Sequence, residues 1–338
     1  MKREIRVLQY GLGPIGTETA KLVCRRPGLR LVGAVDIDPD KVGRNLGELL
    51  GLDAAAEGVV SERAQSVLRD AKPDVVLHTT GSFLQQVEDQ LRLCIEAGAS
   101  VISSCEELFY PFRRHPELSK RIDHLARLHK VTVLGTGVNP GFSMDVLVLT
   151  LCSVCTDVER VFARRVVDAS RRRLSLQKKV GAGLTPEKFR ALTQEHKLGH
   201  VGLVESLHAV ADRLGLVFDR VDEKIEAKIA DAEVVTPHLT VRPGEVAGIV
   251  HTATAVRGNE ERVKLELQMY VGARRETDFV QIEGTPPLEM EIKNGIFGDQ
   301  ATVARMVNAI PVVLRAQPGL VTALDVGVPA CFTEVETL

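Results

Sequence analysis

The sequence predicts an α/β protein, a doubly wound parallel sheet joined to a second α+β domain built on a mostly antiparallel sheet. Two observations lead to this. Up to about residue 140, short apolar runs alternate with helix-period stretches, the pattern of parallel strands linked by crossover helices. From 223 to 292, strand-like segments follow one another without helices, which suits an open antiparallel sheet covered on one face. The expected division is 1–142, completed by 299–338, against 143–298.

Residues 6–10 form the first expected strand. Gly11, Gly13 and Gly16 follow at G-x-G-x-x-G spacing, and 17–23 reads as a helix. This is a dinucleotide-binding fingerprint. Gly11 permits the tight turn, Gly13 lets backbone approach a pyrophosphate, and Gly16 lets helix pack closely on strand. The helix start then offers free N–H groups, beginning with Ile15, to the phosphates, while Pro14 has no donor to waste. Residues 29–36 read as a second strand ending in Asp36, about 20 residues past the last glycine, where a carboxylate accepts ribose hydroxyls. The first domain is therefore expected to be of Rossmann type.

The next expected elements are a turn at 37–43, a short segment at 45–50 and a helix from a Ser61 cap to about 71. A buried-type strand at 74–79 precedes a helix at 84–97 that Gly98 stops. A strand at 100–104, a helix at 116–130 and a strand at 131–134 complete the alternation. Beyond it come an apolar helix at 143–155, a strand at 158–167 and a basic irregular stretch at 170–183. Helices follow at 186–194 and 203–214, then strands including 247–256, 262–271 and 288–292, and a single last helix at 300–315 expected to return to the first domain.

Composition narrows the class. The chain has 338 residues, 44% hydrophobic and 26% charged, with formal net charge -2. That balance carries no footprint for nucleic acid or an anionic membrane. The most apolar stretch, 146–154, is too short to span a bilayer. Charged Lys2, Arg3 and Glu4 lead into the first strand, so no signal peptide is expected. Six cysteines without secretory features read as reduced thiols in a cytoplasm.

Ligands of such sheets bind beyond the carboxyl ends of the strands. Thr79, Thr80 and Gly81, then Cys105, Glu106 and Glu107, then residues 135–142 all fall there. A partly desolvated carboxylate at that level suits acid/base work or the stabilisation of a cation. Glu107 is the first candidate and Glu106 the second. Asn139 offers donors and acceptors to a nicotinamide amide or a substrate. Asp36 would repel a 2′-phosphate, which favours NAD(H), while nearby Lys41 and Arg44 leave NADP(H) open. Cys152 and Cys155 form a C-x-x-C in an apolar helix with no second ligand pair, and read as structural thiols. His196 and His200 stand four apart with no acid or cysteine beside them, so no metal site is expected. Arg171, Arg172 and Arg173 with Lys178 and Lys179 read as a solvated basic loop.

Taken together, Val-Leu-Gln-Tyr-Gly-Leu-Gly-Pro-Ile-Gly, Val-Asp-Ile-Asp-Pro-Asp-Lys-Val-Gly, Ile-Ser-Ser-Cys-Glu-Glu-Leu and Gly-Thr-Gly-Val-Asn-Pro-Gly-Phe resemble the 2,4-diaminopentanoate dehydrogenase family. So do Gly-His-Val-Gly-Leu at 199–203 and Val-Asn-Ala-Ile-Pro at 307–311. The resemblance covers nearly the whole chain and extends to native amine dehydrogenases, with a fold related to dihydrodipicolinate reductases. The His-His and Lys signature of the true reductases is missing. The resemblance implies NAD(P)-dependent exchange between an amine and a ketone or aldehyde plus ammonia, with hydride transfer through an iminium. It also implies a homodimer, a second domain for substrate binding and dimerisation, and an active-site glutamate within Cys105–Leu108. Pro140, Phe142, Met144 and His200 are the candidate substrate-pocket residues. A diamino acid substrate would need a cation for its carboxylate, from Arg164, Arg165 or the Arg171 cluster. The reading from another class is an NAD(P)-binding sensor without catalysis.

Overall fold

The computed structural model describes residues 4–52, 58–195 and 197–333. The chain divides into two compact units, Met1–Gly141 with Phe297–Leu338, and Phe142–Ile296. In chain order the first unit contributes β1 (Ile5–Tyr10), α1 (Pro14–Cys24), β2 (Leu29–Val35), α2 (Leu46–Leu50), α3 (Ala64–Ala71), β3 (Val75–His78), α4 (Leu84–Glu96), β4 (Ser100–Ser103), a 3-10 turn (Glu106–Phe109), α5 (Pro116–Leu128) and β5 (Thr132–Gly135). The second unit holds α6 (Val146–Cys152), β6 (Asp157–Asp168), α7 (Leu174–Lys179), α8 (Pro186–Gln194), α9 (Leu203–Leu214), β7 (Arg220–Ile229), β8 (Val234–Val235), β9 (Thr240–Val241), β10 (Val246–Arg257), β11 (Glu260–Tyr270), β12 (Thr277–Thr285) and β13 (Leu288–Lys293). The chain then returns to the first unit as α10 (Gly298–Asn308), α11 (Ile310–Arg315) and β14 (Gly319–Val321).

The first unit is a six-stranded sheet in the order β14-β5-β4-β3-β1-β2, parallel throughout. Strands β3, β4 and β5 are buried along their whole length, as expected of a sheet wound on both faces. The strand order reverses between β1 and β3, so the crevice beyond their carboxyl ends is the topological switch point. Register sharpens this. Val35, Tyr10, His78, Ser103 and Gly135 pair successively across five strands, so five loops leave the sheet at one level. Ser61, expected as a helix cap, instead bridges to Val35 beside β2, and α3 starts at Ala64. The expected last helix is broken in two, because Pro311 at the start of α11 has no N–H to continue α10.

The second unit is a six-stranded sheet in the order β13-β12-β6-β11-β10-β7. All its pairings are antiparallel except β6 with β11. Burial along β6 and β11 alternates residue by residue, the mark of a sheet with one face in a core. That core gathers Val161, Ala163, Leu265, Leu267 and Ile249 with Leu203, Leu207 and Val210 of α9. The expected basic loop is ordered: a 3-10 turn, Ala169–Arg171, leads into α7. Buried Gln177 donates to the carbonyls of Ala169, Ser170 and Arg172 and accepts the Thr236 hydroxyl. Arg172 is buried rather than solvated.

Candidate active site

The loop leaving β1 is built by its glycines. Gly11 sits at φ +88, where a Cβ would lie 2.8 Å from the Thr79 carbonyl oxygen. A Cβ on Gly16 would lie 1.9 Å from the Gly11 carbonyl oxygen, so α1 packs on the turn only because residue 16 has no side chain. Gly13 differs, with nothing within 4 Å of its Cβ position. It begins α1 in an extended conformation without a side-chain cap, and Pro14 follows. The result is an open helix start with room for an anion. Thr79 is a brace for the turn: its hydroxyl donates to Gly11 O at 2.9 Å. Gln9 Nε2 reinforces it by donating to Gly11 O and Thr79 Oγ1.

Asp36 follows β2. Its Oδ2 accepts the Leu12 N–H at 2.5 Å and its Oδ1 the Asp38 N–H at 2.8 Å, so the carboxylate joins the glycine turn to the next loop. Lys41 Nζ stands 3.7 Å from Asp36 and 2.9 Å from Asp38. The Asp38 partner holds the Lys41 ammonium above its usual range, and Lys41 holds the Asp38 carboxyl below its own. Arg44 is exposed. The open helix start, the acid and the adjacent cation together fit a dinucleotide.

Beyond β4, adjacent glutamates have different surroundings. Glu107 is 4% exposed. Its Oε2 accepts the Leu84 N–H at 2.7 Å and meets His115 Nε2 at 2.9 Å, and Arg114 lies 3.9 Å from Oε1. Its backbone N–H donates to Ser82 O. Glu107 thus closes the N-terminus of α4, where Phe83 supplies no side-chain cap. Glu106 is half-buried and opens the 3-10 turn. Cys105 is buried, and burial pushes its thiol up to about 12, which keeps it protonated.

The loop leaving β5 folds back on itself. A Cβ on Gly141, at φ +124, would lie 2.3 Å from Gly137 N, and one on Gly135 would lie 2.4 Å from Leu108 C. Arg305 of α10 donates to Gly141 O at 3.1 Å, and Thr302 lies beside Gly137. The Asn139–Pro140 peptide is cis, with Asn139 half-buried and Pro140 buried. The two α10 side chains had no motif to mark them, since α10 reaches this loop only through the chain's return.

Residues 78–103 add a polar cluster that the sequence pattern did not reveal. His78 contacts Ser103 and Gln90, and the exposed Thr80 joins the same group while Gly81 is half-buried. In the second unit, Phe142 is half-buried and His200 lies just ahead of α9. Met144 is 1% exposed and packs in that unit's hydrophobic core. Arg165 is likewise committed, to Asp278 at 2.6 Å, and Arg164 stacks over Phe162 and Phe279. Arg165 is therefore not the free cation expected for a substrate carboxylate. Cys152 is buried and Cys155 half-buried, both as free thiols. His196 lies outside the described residues. Among the described residues no group of three metal-ligating side chains assembles, and no helix is long and apolar enough to cross a membrane.

Similarity to characterised proteins agrees with this geometry. The profile of the 2,4-diaminopentanoate dehydrogenase C-terminal domain matches residues 142–337. The 2,4-diaminopentanoate dehydrogenase of Acetoanaerobium sticklandii is 32% identical, across 96% of this chain and 94% of that protein. An amine dehydrogenase of Streptomyces virginiae is 25% identical, across 95% and 96%. The structure of an amine dehydrogenase from Mycobacterium smegmatis superposes with a TM-score of 0.86 at 26% identity, covering 98% of each chain. A dihydrodipicolinate reductase from Paenisporosarcina, with a TM-score of 0.53 at 14% identity across 93% and 96%, shares the fold. The chain belongs to the 2,4-diaminopentanoate dehydrogenase family.

Proposed function

We propose that this protein is an NAD(P)-dependent amine dehydrogenase. It converts a primary amine, NAD(P)+ and water into a ketone or aldehyde, ammonia, NAD(P)H and a proton, and it runs the reverse. The observation that supports this most is a half-buried carboxylate, Glu106, on the same row of strand ends as the dinucleotide turn. Glu106 takes precedence because it is the more accessible of the two, Glu107 being buried against the start of α4 and His115. Gly13, Ile15 and Asp36 are the groups that would hold the dinucleotide, whose nicotinamide supplies the two-electron hydride acceptor when bound.

The carboxylate of Glu106 removes a proton from the substrate ammonium and passes it to solvent, which frees the nitrogen lone pair and leaves the carboxylate ionised again. As hydride leaves the adjacent carbon, that lone pair forms the C=N bond, and the carboxylate stabilises the iminium charge. Glu106 next takes a proton from the water that adds to the iminium carbon. It returns that proton to nitrogen, then takes the hydroxyl proton as ammonia departs and the carbonyl forms. Lys41, within reach of Asp36, offsets the repulsion a 2′-phosphate would meet, so both NADH and NADPH serve, with NADH preferred. The protein works in the cytoplasm as a homodimer.

A diamino acid substrate is the second reading, favoured by the 32% identity to 2,4-diaminopentanoate dehydrogenase. The engagement of Arg165 by Asp278 favours amines without a carboxylate. One assay tests both. Purified protein is given ammonia, NADH or NADPH, and a panel of ketones and aldehydes with and without carboxylates. Cofactor oxidation that requires ammonia is expected, with Glu106→Gln at least about 100-fold slower. Cofactor binding without turnover on any substrate would instead mean a sensor.

A further inference from the structure

His78 is a buried titratable group that the chemistry above leaves unused. It is the last residue of β3, wholly buried, with the Tyr10 ring 5.5 Å away. Its Nδ1 lies 2.9 Å from Ser103 Oγ, and its Nε2 lies 2.8 Å from Gln90 Oε1 and 2.9 Å from Thr80 Oγ1. An amide carbonyl oxygen accepts only, so Nε2 carries the proton and Nδ1 the lone pair. Ser103 therefore donates its hydroxyl proton to Nδ1. Ser103 Oγ in turn accepts the Cys105 N–H at 3.1 Å. At the far end, Gln90 Oε1 also accepts the Thr80 hydroxyl at 2.5 Å.

The bonds run in one direction from Cys105 through Ser103 and His78 to Gln90, where Thr80 meets them. This order needs the neutral ring with its proton on Nε2, which faces both Gln90 Oε1 and Thr80 Oγ1. A second ring proton would face the Ser103 hydroxyl and undo the order. Burial favours the neutral ring, lowering its pKa to about 4. The ends of the chain matter most. Thr80 belongs to the loop beyond β3, and Cys105 immediately precedes Glu106.

We propose that His78 is a positioning residue that joins the Thr80 loop to the Glu106 turn, fixing the Cys105 backbone and so the placement of the Glu106 carboxylate. The proposal rests on Glu106 being the acid/base. A residue that merely filled the core would affect stability alone. One that sets the carboxylate affects kcat while leaving ground-state binding nearly untouched.

The test uses the full chain with His78→Phe, His78→Gln and Ser103→Ala, measured for turnover, amine KM and NADH affinity. His78→Phe and Ser103→Ala are expected to lower kcat about tenfold, with KM and the NADH Kd within about twofold. His78→Gln should recover part of the loss, because its amide N–H can still reach Gln90. Unchanged kcat in Ser103→Ala, or a His78→Phe defect confined to stability or NADH affinity, overturns the proposal. Ser103→Ala removes a single hydroxyl and decides the matter if His78→Phe does not fold. Glu106→Gln in the same assay separates the two ideas. Retained turnover there removes Glu106 as acid/base and the coupling with it, while a dead Glu106→Gln beside a fully active Ser103→Ala removes the coupling alone.

Discussion

Two neighbouring glutamates show how one residue of displacement changes a role. Glu106 and Glu107 have the same chemistry and follow β4 in succession, yet Glu107 closes a helix end 23 residues earlier in the chain. Glycines of the dinucleotide turn divide in the same way and predict opposite behaviour. Gly16→Ala forces a Cβ against the Gly11 carbonyl and should lower the melting temperature by several degrees, costing about 1–3 kcal/mol. Gly13→Ala meets no atom of the protein, so it should melt like the parent while binding NADH more weakly. Calorimetry with a binding titration checks both, and unchanged NADH affinity in Gly13→Ala would place the phosphates elsewhere. His78 supplies a pH dependence. Its folded pKa of about 4 lies below the unfolded value of about 6.5, so between these pH values the unfolded chain binds the extra proton. Its stabilisation is complete above pH 6.5 and is lost as pH falls toward 4, by about 3 kcal/mol at most. Denaturant melts at pH 7, 5.5 and 4 should therefore show the parent falling more steeply than His78→Phe. Parallel slopes would count against a neutral buried ring.

At the scale of elements, the second unit's sheet carries a buried ion pair between β6 and β12. Arg165 and Asp278 are 3% and 2% exposed, and Asp278 Oδ2 also accepts the Ile296 N–H at 2.8 Å. Arg165 donates its other nitrogen to the Ile296 carbonyl, so the pair holds the segment after β13 against the sheet. Arg165→Met leaves a buried carboxylate unpaired and should cost about 3–5 kcal/mol, with Arg165→Met/Asp278→Leu recovering much of it. A double variant no more stable than the single one would show that Asp278 acts mainly through Ile296. Some elements were legible in sequence and others were not. Alternating apolar runs marked β3, β4 and β5, and α8 and α9 fell where 3.6-residue periodicity put them. The α7 segment was missed because its order comes from Gln177, a polar residue whose partners are carbonyls. Continuity across Pro311 was overread, since the same apolar period persists on both sides of the break.

For the whole molecule, the chain enters the second unit at Phe142 and leaves it at Ile296, so each unit has its own core. NADH is held by groups of the first unit alone in the reading above. Saturating NADH, at about 100 times Kd, should add about 2.7 kcal/mol to that unit. Calorimetry should resolve two transitions, of which NADH raises only one. A single transition shifted as a whole would show that the units unfold together. Light scattering should give a mass about twice the 36.9 kDa chain, and a monomer would remove the homodimer from the proposal.

Local chemistry alone determined the glycine turn, the acid after β2 and the two sheet types, because strand period, turn glycines and helix starts are written in consecutive residues. It also narrowed the candidate carboxylate to a pair. Only the tertiary structure set Glu107 at the start of α4, drew His78, Ser103 and Gln90 into one polar chain, committed Arg165 to Asp278 and brought Arg305 to Gly141. Each of these depends on which distant groups lie within hydrogen-bond reach, and that distance is a property of strand order and register.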